Sequence, residues 1–284
     1  MTSDHRAVGA HVPVAGGLAT GGLRYARQVG AEVIQVFVTN PRGWALTSGD
    51  REEDVRLREH AHALPVFVHA PYLINLGSPT PQTLERSVES LRHSLRRGRD
   101  IGAWGVVVHT GSAVAGARHD SAMAQVRDAL LGLLDELGDT GPDLLLEPMA
   151  GQGAALCAAV DDLGPYLDAL EWHPRAGVCL DTCHVFAAGH DVASPEGMAT
   201  MLDTLESTVG PQRLKLLHAN DSKETCGSCR DRHENIGAGH IGAEPFAQLF
   251  THPATRGVPV VVETPGRVEP HRRDVTTLQR LRSR

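Results

Sequence analysis

The sequence is poor in aromatic residues. Phe, Trp and Tyr make up 4% of its 284 positions, too few for an extended platform on which successive bases stack. Long apolar runs are missing too: no window approaches the ~20 residues needed to cross a bilayer. Met1-Thr2-Ser3-Asp4-His5-Arg6 is not followed by an apolar stretch, so no signal peptide is expected. Cysteines number five, an odd count that suits reduced thiols and a cytoplasmic location better than a disulfide framework. Nor is there an excess of positive charge. With 34 acidic against 27 basic residues the chain carries −7 at pH 7, which at first sight argues against nucleic acid as a partner.

Histidine, by contrast, is abundant at 16 residues, and several fall in a pattern. Six short apolar runs each end in a residue able to bind a metal, at intervals of 34 to 45 positions. Val66-Phe67-Val68 runs into His69, Val106-Val107-Val108 into His109, and Leu144-Leu145-Leu146 into Glu147. Val178-Cys179-Leu180 leads to Asp181, Leu214-Lys215-Leu216-Leu217 to His218, and Val260-Val261-Val262 to Glu263. Continuous β-branched and Leu runs mark parallel strands covered on both faces. With strand 1 near Ala7 to His11 and strand 2 near Glu32 to Val38, they make eight strands. Helical periodicity fills the intervals at Leu18–Gln28, Asp50–His62, Pro81–Asp100, Ser121–Leu137, Leu156–Leu170, Pro195–Val209, Glu244–Phe250 and Arg273–Leu281. The alternation predicts a single (β/α)8 TIM barrel over residues 1–284, a fold that typically takes about 250 residues. The C-terminal ends of its strands share one rim, where catalytic residues sit. Six imidazoles and carboxylates on that rim point to a polynuclear metal centre.

Two further clusters lie off the strands. Asp181-Thr182-Cys183-His184 places an imidazole three residues after a strand-end carboxylate. Asp231-Arg232-His233 lies in the stretch from Ala219 to Ala243, too long for a routine connection of two to six residues. His184, Asp231 and His233 could hold a third ion, and nine donors for three ions, with Glu147 shared, leave coordination open for water and substrate. Imidazole and carboxylate suit zinc, and manganese or iron less selectively. Three divalent ions would bring the net charge from −7 to about −1, so net charge does not exclude DNA.

Several segments carry a resemblance to a known family. They are Tyr72-Leu73-Ile74-Asn75-Leu76-Gly77, Val108-His109-Thr110-Gly111-Ser112, Leu180-Asp181-Thr182-Cys183-His184-Val185-Phe186, His218-Ala219-Asn220-Asp221-Ser222-Lys223 and Asp231-Arg232-His233-Glu234-Asn235-Ile236-Gly237. With Gly9-Ala10-His11-Val12 at one end and Val262-Glu263-Thr264 at the other, the chain resembles endonuclease IV over its whole length. The resemblance implies three zinc ions, with Mn2+ or Fe2+ as substitutes. One would take His69, His109 and Glu147, a second Glu147, Asp181, His218 and Glu263, and a third His184, Asp231 and His233. It further implies double-stranded DNA with abasic sites as the partner, and cleavage of the phosphodiester on their 5′ side. The products are a 3′-hydroxyl and a 5′-deoxyribose phosphate, and 3′-phosphodiesterase and 3′-phosphatase trimming accompany the incision in base excision repair. A hydroxide bridging ions held by Glu147 and Glu263 would be the nucleophile. Arg42, Tyr72 and Leu73 match the side chains that fill the space left by the extruded abasic nucleotide, which is easier to flip than a normal one because it has no pairing or stacking to lose. A monomer without an obligate protein partner is expected.

Other features read more plainly. His11 ends strand 1 but matches no ligand, and is read as an outer partner or a packing residue. Cys226 and Cys229 make half a zinc knuckle with no second pair, hence ordinary loop cysteines. Arg92, Arg96, Arg97 and Arg99 are read as a solvated helix face. Pro148-Met149 stands where the family has Asn-Thr, and Ala238 where it has an acidic residue; neither change removes a ligand. The rival readings are a xylose-isomerase-like sugar isomerase or epimerase, which needs no counterpart to His69, His109, His184 or the Asp231-Arg232-His233 cluster, and a barrel that binds lesions or metal without catalysis.

Overall fold

The structure is a computed structural model that describes residues 5–115 and 118–284. In chain order, β1 (Val8–His11), α1 (Leu18–Val29), β2 (Ile34–Val36), α2 (Arg51–His60), β3 (Val66–His69), α3 (Pro81–Asp100), β4 (Gly105–His109), α4 (His119–Leu137) and β5 (Asp143–Glu147) form the first half. Then come α5 (Leu163–Ala169), β6 (Ala176–Asp181), α6 (Thr182–Ala188), α7 (Pro195–Val209) and β7 (Leu214–His218). A two-stranded antiparallel piece, β8 (Asp221–Ser222) with β9 (His233–Glu234), precedes α8 (Gln248–Thr251), β10 (Val260–Val262) and α9 (Val268–Arg282). Eight parallel strands close into a barrel in the order β1-β10-β7-β6-β5-β4-β3-β2. This is the TIM barrel the sequence predicts. No helix among the described residues is long and apolar enough to cross a membrane.

Alternation along the strands sorts the side chains into two cores. Ala7, Val33, Phe67, Val107, Leu145, Cys179, Leu216 and Val261, one from each strand or the residue beside it, pack together inside the barrel. Their neighbours, such as Ile34, Val66, Val106, Leu144 and Val260, join the larger core under the helices. Two residues further on, and so on the same inward face, stand Gly9, Gln35, His69, His109, Glu147, Asp181, His218 and Glu263. The period of two thus converts an apolar layer into a layer with six imidazole and carboxylate side chains one step nearer the rim. Gly9 contributes none, because a Cβ there would lie 1.7 Å from the Val33 carbonyl oxygen. Between β6 and β7 the register shifts at Val178/Cys179, with partners Leu214 and then Leu216. That bulge passes over Lys215 and sets Asp181 directly beside His218.

Four helical spans differ from expectation. The helix foreseen over Leu156–Leu170 forms only as a 3₁₀ turn at Val160–Asp162 followed by α5. Its first residues are pulled toward the β4–α4 loop instead, where the Leu156 amide donates to the Gly111 carbonyl at 2.9 Å. The foreseen Glu244–Phe250 helix is a 3₁₀ turn over Glu244–Ala247 that runs into α8, and α9 starts at Val268 rather than Arg273. The unforeseen α6 begins as soon as β6 ends, because the Asp181 carboxylate accepts from the amides of Cys183 (2.7 Å) and His184 (3.2 Å) as an N-cap.

Arg97 is not part of a solvated face: it is 3% exposed and pairs through both guanidinium arms with the buried carboxylate of Asp54. Removing one partner of such a pair strands a buried charge. Arg97→Ala should therefore destabilise the fold by about 3–5 kcal/mol, whereas Arg96→Ala, on the exposed side of α3, should change it by less than ~0.5 kcal/mol. Urea melts of the two variants check this.

Candidate metal centre

The nine predicted donors fall into three groups, and the donor atoms within each lie no more than 4.8 Å apart. In the first, His69 Nε2 and His109 Nε2 stand 3.2 and 3.4 Å from the same Glu147 oxygen, Oε2. In the second, His218 Nδ1 is 3.0 Å from the other Glu147 oxygen, 3.4 Å from Glu263 Oε2 and 3.8 Å from Asp181 Oδ2. In the third, Asp231 offers Oδ2 to His184 Nε2 at 3.3 Å and Oδ1 to His233 Nε2 at 3.0 Å. Two donors bound about 2.1 Å from one tetrahedral ion stand about 3.4 Å apart, so these spacings fit cations between the donors. Glu147, fully buried, gives one oxygen to each of the first two groups.

The imidazoles are aimed by their remote nitrogens. His69 Nδ1 donates to the Ala70 carbonyl at 2.7 Å, His184 Nδ1 to the Pro148 carbonyl at 3.0 Å, and His233 Nδ1 to the Glu263 carbonyl at 3.2 Å. A carbonyl only accepts, so each of these Nδ1 atoms carries the proton and Nε2 is offered to the site. His233 Nε2 is buried and, although Asp231 Oδ1 lies 3.0 Å away, the two are not aligned for a hydrogen bond, an arrangement that suits a cation between them. Pro148 thus meets the site through its backbone oxygen, which His184 uses. Ala238 is exposed, with its amide bonded to the Asn235 carbonyl, and touches none of the nine donors.

The electrostatics agree. Burial by itself raises carboxyl pKa values, yet His218 and His109 hold Glu147 well below the usual range, and His218 and His11 do the same for Glu263. Asp231 is likewise lowered against burial by His184 and His233. In return, and again against burial, Asp181 and Asp231 push His233 up to about 9, carboxylates raise His184, and Cys179 together with Glu263 and Glu147 raises His218. Only His109, where burial dominates, falls to about 4. An ionised carboxylate as buried as Glu147 requires positive charge beside it, which bound cations would supply in exchange for protons on the surrounding imidazoles.

Several residues at the site escaped the sequence reading. Gln35 on β2 is fully buried and touches both His218 and Glu263. Asp221 accepts from the backbone amides of Gly237, Gly239, Ile241 and Gly242, and Asp274 from Asn235, Ile236 and Thr264. Together they pin the segment that follows His233. Lys223 and Arg232 join Tyr72, His109, His184 and His233 around a cavity of about 250 Å³ above the donors. His11 stands 3.2 Å from Glu263 Oε1 and packs on the Phe37 ring at 4.3 Å, so both the outer contact and the packing read for it are present.

The family model for xylose isomerase-like TIM barrels matches residues 23–284. A Streptomyces avermitilis protein named "Probable endonuclease 4" is 62% identical over 278 residues, covering 97% of this chain and 90% of that one. The chain belongs to the endonuclease IV family. The solved endonuclease IV of Thermus thermophilus matches with a TM-score of 0.85 and 31% identity, across 97% of this chain and 98% of that one. A D-tagatose 3-epimerase-like protein matches across 97% and 96% with a TM-score of 0.68 at 17% identity, a likeness of fold alone.

The residues for which the endonuclease IV resemblance implies a role in DNA contact lie at the rim. Tyr72 and Leu73 are 46% and 37% exposed, unusual for apolar residues beside a buried polar cluster. The Tyr72 ring lies 5.3 Å from that of His69 and 5.8 Å from that of His109, and its amide donates to the Pro41 carbonyl at 3.1 Å. That bond joins the Tyr72–Leu73 turn to the loop carrying the exposed Arg42.

Proposed function

We propose that this endonuclease IV family member is a DNA repair enzyme, a single barrel domain over residues 1–284 that hydrolyses the phosphodiester 5′ to abasic sites with three zinc ions. The products are a 3′-hydroxyl and a 5′-deoxyribose phosphate, and 3′-blocking groups are trimmed at the same site. The observation that carries this reading is the sharing of Glu147 between two donor groups, with a third group beside them under an open cavity. Bound ions lower the pKa of water and neutralise charge on a phosphodiester in its transition state. The protein's own task is to hold nine donors in place, from the fully buried Glu147 to Asp231 at the open rim, with the His69, His184 and His233 rings locked by backbone carbonyls. Manganese or iron suits the same donors less selectively.

Recognition falls to the rim. Tyr72 and Leu73 enter the space left by the extruded nucleotide, and Arg42 follows from the adjoining loop. An abasic nucleotide has already lost its pairing and stacking, so it leaves the helix at lower cost than an intact one. We further propose a monomer working in the cytoplasm without an obligate partner.

A nicking assay on a duplex with one abasic analogue, with and without chelator, tests the function. Scission lost on chelation and restored by zinc is the expected result. Binding without scission would favour a lesion-binding role, and turnover of a ketose without DNA binding would favour a sugar isomerase. The wedge is tested separately. Tyr72→Ala combined with Leu73→Ala should lower discrimination between abasic and intact duplex by about tenfold or more, equivalent to ~1–3 kcal/mol of stacking. Hydrolysis of a small phosphodiester should change much less, and equal losses on both substrates would remove the wedge role.

A further inference from the structure

Three of the site imidazoles owe their orientation to backbone carbonyls; His218 does not. Its ring is turned the other way, with Nδ1 toward Glu147, Glu263 and Asp181, and Nε2 2.9 Å from the side-chain oxygen of Gln35. Gln35 is fully buried on β2. Its amide nitrogen lies 2.5 Å from Glu263 Oε1 and 3.0 Å from His11 Nδ1. A carboxylate can only accept, so the amide group facing Glu263 must be the NH2, which leaves the carbonyl oxygen for His218. That oxygen accepts in turn, so His218 must carry a proton on Nε2.

We propose that Gln35 is the positioning residue for the ion site shared by β7 and β10. It fixes His218 as the Nε2–H tautomer, which leaves Nδ1 as the ligating atom. By holding Glu263 Oε1, it also directs Oε2 toward the same point, 3.4 Å from that Nδ1. One amide thus aligns two donors from two strands, and it is a side chain rather than a carbonyl, so it can be replaced. This rests on the metal-centre reading above and adds the device by which one of its positions is built.

Gln35→Met keeps the size of the side chain and removes both hydrogen-bonding groups. Gln35→Glu keeps an acceptor for His218 Nε2–H but sets a carboxylate against Glu263. The test measures zinc affinity of the full-length protein by competition with a chromophoric chelator, alongside 15N-histidine NMR of the zinc-loaded protein and melting of the metal-free protein. In the wild type, His218 is expected to show only the Nε2–H tautomer. Gln35→Met should lose that signature and hold the ion about ten- to a hundredfold more weakly, with the ion at His184, Asp231 and His233 retained. Gln35→Glu should recover the tautomer without recovering the affinity. Wild-type affinity in Gln35→Met with an unchanged tautomer would overturn the proposal, as would a lower melting temperature with zinc affinity intact, which is the mark of packing alone. Failure of the wild type itself to take up zinc would instead overturn the metal centre.

Discussion

Glu147→Gln should cut incision of an abasic duplex by more than about a hundredfold, the upper end of what loss of an outer partner alone costs a metal site. The change is nearly isosteric, and Glu147 closes the β4–β5 ladder through its backbone opposite His109, so the barrel should remain folded by far-UV circular dichroism. What fails is charge and shape together. Glu147 gives Oε2 to His69 and His109 and Oε1 to His218. A carboxamide has one acceptor and must turn an NH2 toward one of the two groups, where it meets imidazole nitrogen or a cation. Zinc content should fall with activity. Incision above about a tenth of wild type in a correctly folded variant would contradict the bridging role.

Removing the metal should be felt in stability as well as in turnover. An ion that binds only the folded state stabilises it by about 2.7 kcal/mol at a free concentration a hundred times its Kd. For a chain of this size each kcal/mol moves Tm by about 2–4 °C. Chelation should therefore lower Tm by about 5–10 °C even if a single site contributes, and zinc should restore it. Without ions, the lowered carboxyls of Glu147, Glu263 and Asp231 still face imidazoles, and Glu263 also the Gln35 amide, so the metal-free fold should persist at neutral pH. A Tm unmoved by chelation, with incision intact, would leave no role for a metal.

Much of this was legible because a barrel strand alternates with a period of two. Phe67 and His69, Val107 and His109, Leu145 and Glu147 each share a face, so the apolar runs announce both the wall and the donors at its rim. Gln35 obeys the same arithmetic from Val33 but is not a metal-ligating residue type, and a search for His, Asp and Glu passes over it. The α6 helix was hidden because its seven residues, Thr182–Ala188, are too few for a helical period to show, and its start is marked only by the cap that Asp181 makes. Arg97 was misjudged because helical spacing cannot show that Asp54, from the preceding helix, reaches across to it. Asp221 acts on backbone amides, and Asp274 on one amide and the side chains of Asn235 and Thr264; nothing in a residue pattern marks which donors a distant carboxylate will meet.

Asp181 has two allegiances. One oxygen starts the helix that bears His184, while the other faces His218 at 3.8 Å and His233 at 3.5 Å. An ion bound at either neighbouring position would draw on this carboxylate, which the Asn220 amide also holds at 2.6 Å. On the proposed three-ion reading, ions at these two positions would share one carboxylate, so the affinity of each is expected to depend on whether the other is filled.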